Sequence, residues 1–89
     1  MNEADVIKQL ESEGFQELRV CPIMAGFDLP EHTHDVHTVH IILEGELTVV
    51  DQEGRRVFKP GARVEFPAGT THQAFGGANE GRMVVGFKK

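Results

Sequence analysis

The 89-residue chain has no tryptophan, no tyrosine and a single cysteine; its aromatic side chains are six phenylalanines. A stacking platform for nucleic-acid bases is therefore poorly supplied. Basic charge is also scarce. Nine Lys and Arg against fourteen Asp and Glu leave a formal charge of -5. A phosphate-binding face needs a basic patch, and the basic residues between Arg55 and Arg82 form no dense run, so no nucleic-acid partner is expected. With only Cys21, no internal disulfide can form. No apolar run approaches membrane-spanning length, so no membrane association is expected. The first ten residues, MNEADVIKQL, are acidic and lack the apolar segment of a secretory signal. A cytoplasmic location is expected.

Turn-forming residues are plentiful: ten glycines and four prolines. They punctuate the chain into short pieces. Residues 3–13, EADVIKQLESE, predict one helix, with Val6, Ile7 and Leu10 on a single apolar stripe, acidic residues in the first turn and Gly14 as C-cap. Beyond Gly14 the pattern becomes extended. FQELRV, PIMAGFDL, VHIILEG, ELTVV, RRVFK, ARVEF, THQAF and RMVVGF are short segments bounded by Gly, Pro, Asn or Asp, and DQEG reads as a hairpin turn. Many short strands after one small helix imply an all-β sandwich or barrel with a helical N-terminal cap. The expected organisation is one domain over residues 1–89, with the helix in 1–14 and the barrel in 15–89.

Four of the five histidines lie in EHTHDVHTVH, residues 31–40, and the fifth is His72 in PAGTTHQAF. On a strand, residues i and i+2 share a face, so His32 and His34 present two imidazoles together. Such a pair is a bidentate start for a transition metal, and His72 is the distant histidine that can complete it. Three neutral imidazoles with open positions suit iron(II), zinc, nickel or copper. Histidines on a strand also serve as solvated or hydrogen-bonded side chains, so spacing alone leaves both readings open. Cys21, between Val20 and the apolar Pro22–Ile23, reads as a buried structural thiol, because nothing adjacent supplies the electropositive setting of a reactive one.

The histidine spacing resembles that of the cupin superfamily. GARVEFPAGTTHQAFG is similar to the second cupin motif, G-x5-P-x-G-x2-H-x3-N, through Gly61, Pro67, Gly69 and His72; Gly76 stands where the family has Asn. GFDLPEHTHDVHTVHIILEG is similar to the first, G-x5-H-x-H-x3,4-E-x6-G, through Gly26, His32, His34 and Gly45; Thr38 occupies the Glu position. The resemblance covers residues 26–76. It implies a cupin jelly-roll barrel (a double-stranded β-helix) and a metal held by His32, His34 and His72. Lacking the Glu, the pattern resembles the three-His cupins of the cysteine dioxygenase and diketone dioxygenase types. On a strand, His40 shares the face of Thr38. It is a candidate fourth ligand or catalytic acid/base, or else a buried neutral side chain, whereas His37 faces outward. The expected cofactor is a divalent transition metal such as iron, zinc, nickel or manganese. The expected function is a dioxygenase- or isomerase-type reaction on a small organic substrate, the alternative being a non-catalytic ligand-binding or sensing module that needs no metal. A short chain with exposed strand edges also predicts a homodimer.

Overall fold

In the computed structural model, which describes residues 2–89, the Asn2 side chain accepts the backbone N–H groups of Ala4 at 2.8 Å and Asp5 at 3.3 Å. This cap satisfies two donors that the first turn of a helix leaves free. It starts α1 (Glu3–Ser12), and the chain leaves α1 through Gly14 at φ +95°. Eight strands follow: β1 (Gln16–Ile23), β2 (Asp28–Thr33), β3 (His37–Glu44), β4 (Leu47–Asp51), β5 (Gly54–Phe58), β6 (Arg63–Phe66), β7 (Thr71–Gly76) and β8 (Gly81–Lys88). They form two four-stranded antiparallel sheets, ordered β1-β8-β3-β6 and β2-β7-β4-β5. Met1 lies outside the described residues.

The expected barrel with a helical cap is the observed architecture. The segments expected separately as FQELRV and PIMAGFDL join differently. One eight-residue strand, β1, runs through Cys21 and Pro22 to Ile23, and the turn falls at residues 24–27. A proline cannot donate to a ladder, but β1 lies at the edge of its sheet and pairs only with β8. Pro30 sits in β2, likewise an edge strand.

Two apolar clusters divide the strand faces. Ile23, Ile42, Leu47, Val49, Val64, Phe66 and Ala74 pack between the sheets. Leu10, Phe15, Val39, Ile41 and Val84 pack on the outside of the first sheet, beneath Val6 and Ile7 of α1. β3 is thus buried on both faces, which explains why VHIIL is nearly continuous in apolar character. Ion pairs tie the helix down at both ends: Glu3 to Arg82, and Glu13 to Arg63.

Candidate metal centre

Cross-strand pairing unites the two histidine motifs. His32 of β2 lies directly opposite His72 of β7 in the antiparallel ladder, with ring centroids 4.3 Å apart. β2 ends at Thr33, so His34 follows the strand, and its backbone carbonyl accepts the N–H of Gly69 at 2.8 Å. Gly69 belongs to the Pro67–Thr70 turn, closed by the Thr70 N–H on the Pro67 carbonyl at 3.1 Å. Its φ of +86° matches the third position of a type II turn, where glycine is favoured. The glycine of one motif therefore holds the backbone that carries a histidine of the other. Candidate ligand nitrogens of His32, His34 and His72 all lie within 4.8 Å of one another.

A bulge sets the ring state of His32. Between Leu29 and His32 the register slips against β7, opposite Ala74 and His72. The Pro30 carbonyl in this bulge lies 2.8 Å from His32 Nδ1. A carbonyl only accepts, so Nδ1 carries a hydrogen, and in the neutral ring the lone pair is left on Nε2. That Nε2 is buried and has no hydrogen-bond partner. A backbone carbonyl on the far nitrogen is a common way to orient a metal-bound imidazole. Glu31 and Asp35, the acidic residues that bracket the His32–His34 pair, are exposed.

His72 is 4 % exposed, and neither ring nitrogen has a hydrogen-bond partner. Its ring is stacked on Phe66, with centroids 3.8 Å apart and planes 13° from parallel. Burial pushes its pKa down to about 4, helped by His32 and His34. Burial, then His32, also lowers that of His34. Both rings are thereby kept in the neutral form a metal requires. Buried nitrogens without partners are costly in a folded protein, and here they converge on one point.

The cluster opens on a cavity of about 500 Å³ between the sheets. Phe27, Leu47, Val49, Phe66, Met83 and Val85 form much of its apolar wall. Thr38 and His40 also line it. His40 stands outside the three-histidine set, on the β3 wall, with its ring edge-on to Phe66 at 5.6 Å. Neither of its nitrogens has a partner, and burial, then His72 and His34, takes its pKa down to about 4. Thr38, 7 % exposed, has an unpartnered hydroxyl. His37 points the other way, beside the Phe15 ring, and donates from Nε2 to Glu65 at 2.7 Å.

Three features were missed from sequence. The ring-fixing role of Pro30 and the stacking of Phe66 on His72 depend on bulge and register. Cys21 was read as structural, yet it is only partly buried and lines the cavity. The reason lies in β1. Three residues from Gln16 to Arg19 span two on β8, and Glu17 takes up the extra length at φ +51°. Such a bulge reverses which side chains face inward.

An antiparallel double-sheet barrel with histidines converging on its cavity defines the class: a jelly-roll barrel with an internal candidate metal site. The chain belongs to the cupin family, whose Cupin domain profile matches residues 20–85. Solved structures similar to it include the cupin domain of Schizosaccharomyces pombe Cnp3 (18 % identity, TM-score 0.73, covering 81 % of this chain and 51 % of that one). Another is the DMSP lyase DddQ of Ruegeria pomeroyi (25 % identity, TM-score 0.72, 81 % of this chain and 37 % of that one). A third is TT1209 of Thermus thermophilus (26 % identity, TM-score 0.67, 76 % of this chain and 67 % of that one). The chain spans about half or less of the first two. No curated protein matches its sequence.

Proposed function

We propose that this cupin is a metal-dependent enzyme acting on a small organic molecule, with a divalent transition metal held by His32, His34 and His72. The observation that carries the reading is the hydrogen bond from His32 to the Pro30 carbonyl, which leaves a buried, unpartnered Nε2 beside the unpartnered nitrogens of His72. The donor set fits the metal: three neutral imidazoles with their lone pairs free suit iron, zinc or nickel. A bound ion would supply Lewis acidity or, if iron, the activation of oxygen, consistent with isomerisation or oxygenation.

The residues supply the rest. Phe66 fixes the His72 ring, and the apolar walls keep bulk water from a bound ligand. His40, neutral near pH 7, offers a ring nitrogen to accept or return a proton on the ligand side. Thr38 offers a hydroxyl beside it. DddQ, described as a lyase, supports the view that a barrel of this shape can house a reaction.

Elemental analysis of untagged protein, grown with iron, zinc, nickel and manganese supplied, tests the reading. Close to one equivalent is expected, and below about 0.1 equivalent the proposal fails. Full occupancy without turnover on any substrate that binds would favour the non-catalytic binding role. The proposed assembly is a homodimer, supported by the edge position of β1 and the 37 % exposure of its Val20. Light scattering should give twice the 9.9 kDa chain mass; a monomer at micromolar concentration would refute it.

A further inference from the structure

The inner face of the first sheet carries an ordered polar row. Arg19 of β1 pairs with Val85 of β8, and Val85 pairs with His40 of β3. Paired residues share a face, and strands lie about 4.8 Å apart, so the Arg19 and His40 backbones are about 10 Å apart across the sheet. Both side chains line the cavity. Thr38, two residues from His40, borders the same space.

The bulge at Glu17 is what turns Arg19 inward. In an unbroken ladder Leu18 would stand opposite Val85 and enter the cavity. With one residue added, Leu18 packs into the outer cluster beneath α1 and Arg19 takes its place. A non-glycine residue at φ +51° is strained, and strain of this kind is concentrated at functional sites.

Arg19 is also unlike the other arginines. Arg56, Arg63 and Arg82 each pair with carboxylates, and Arg55 lies over the Phe75 ring. Among the described residues Arg19 has no carboxylate partner; its contact is a 3.4 Å hydrogen bond from Nη1 to the Glu17 carbonyl. On the same face, across β8, stand a buried hydroxyl on Thr38 and two ring nitrogens on His40, all without partners. Glu17 lines the cavity too, but its carboxylate forms no ion pair with Arg19, and a lone guanidinium matches a single negative charge with two acceptor oxygens. A dianion such as a phosphate would bring a second charge that the single Arg19 guanidinium leaves unbalanced at its end of the chamber.

We propose that the ligand is a small, largely apolar organic carboxylate, its acid group on Arg19 with His40 and Thr38 as further hydrogen-bond partners and its hydrocarbon part extending toward the three histidines. This substrate class rests on the proposed function in taking the cavity as the reaction chamber, but Arg19 needs no metal to bind the acid.

The test titrates untagged protein, metal-loaded and chelator-stripped, with butanoate, hexanoate and benzoate and with the matching primary amides, read by saturation-transfer NMR and by melting temperature. The acids are expected to bind at least about tenfold tighter than the amides in both states. Arg19→Gln should remove that preference, and Arg19→Lys should restore part of it. Arg19 is exposed on an edge strand, so both variants should fold, which their melting curves check. Equal binding of acids and amides, no binding by any probe, or an Arg19→Gln variant that behaves as the parent would overturn the proposal. Acid binding that vanishes on stripping and ignores Arg19 places the acid on the metal; the carboxylate subsite then falls while the metal reading stands. Arg19-dependent acid binding in a protein that takes up no metal sinks the metal reading and keeps the subsite.

Discussion

Thr38 stands where related barrels place a carboxylate, and its buried hydroxyl has no partner. Three neutral imidazoles would leave a divalent ion with its whole double charge, whereas a fourth, anionic ligand would halve it. Thr38→Glu should therefore raise affinity for zinc at least about tenfold, measured by competition with a chelator. The same variant buries an unpaired carboxylate when stripped, so its metal-free melting temperature should fall below the parent's. An affinity within twofold of the parent would mean that residue 38 does not border the ion. His40 gives the opposite expectation. Standing outside the three-histidine set, it should tolerate His40→Gln with little loss of metal, whereas His72→Ala should abolish uptake. Equal losses in the two variants would make His40 a ligand.

At the scale of elements, apolar burial and ion pairing make different claims on α1. The Glu13–Arg63 pair is short and holds the Glu13 carboxyl down to about 2, chiefly through the hydrogen bond from Arg63. Yet both partners meet solvent, and such pairs contribute little. Leu10 is 1 % exposed, and its truncation leaves a hole. Leu10→Ala should cost about 2–4 kcal/mol in urea unfolding, and Arg63→Ala much less. Gly76 marks another close approach: a Cβ there would meet the Met24 carbonyl and the Phe27 ring. Its departure from the family's Asn follows from the 24–27 turn packing on β7, and Gly76→Asn should destabilise by at least about 2 kcal/mol. These elements also show what could be read beforehand. The helix stripe, the glycine-bounded strands and the spacing of His32, His34 and His72 are local patterns, legible one segment at a time. The bulges at Glu17 and Pro30 are not, because an extra residue on one strand is defined only against its partner. A single such residue reverses the faces of β1, which is why Cys21 and Arg19 emerge in the cavity rather than where alternation from Phe15 would place them.

Over the whole molecule, the neutral histidines tie stability to pH. His40 and His72 have pKa values near 4 in the folded chain, against an ordinary value of about 6.5 when it is unfolded. Above about pH 6.5 both states hold these rings neutral and pH has no effect through them. As pH falls below that value the unfolded chain takes up protons that the folded chain refuses, so stability is lost progressively until pH reaches about 4. By pH 5 each such ring costs at most about 2 kcal/mol, while the carboxylates have scarcely begun to titrate. Stripped protein should therefore melt several degrees lower at pH 5 than at pH 7.5, and His40→Gln should flatten that slope, since a glutamine has nothing to protonate. Metal adds a second dependence of the same sign, because protons compete for the same nitrogens. The gap in melting temperature between loaded and stripped protein should be wide at pH 7.5 and close as pH falls. A stripped protein whose melting temperature is flat from pH 7.5 to 5 would mean that these rings are protonated in place, and that the cavity is wetter than its apolar walls imply.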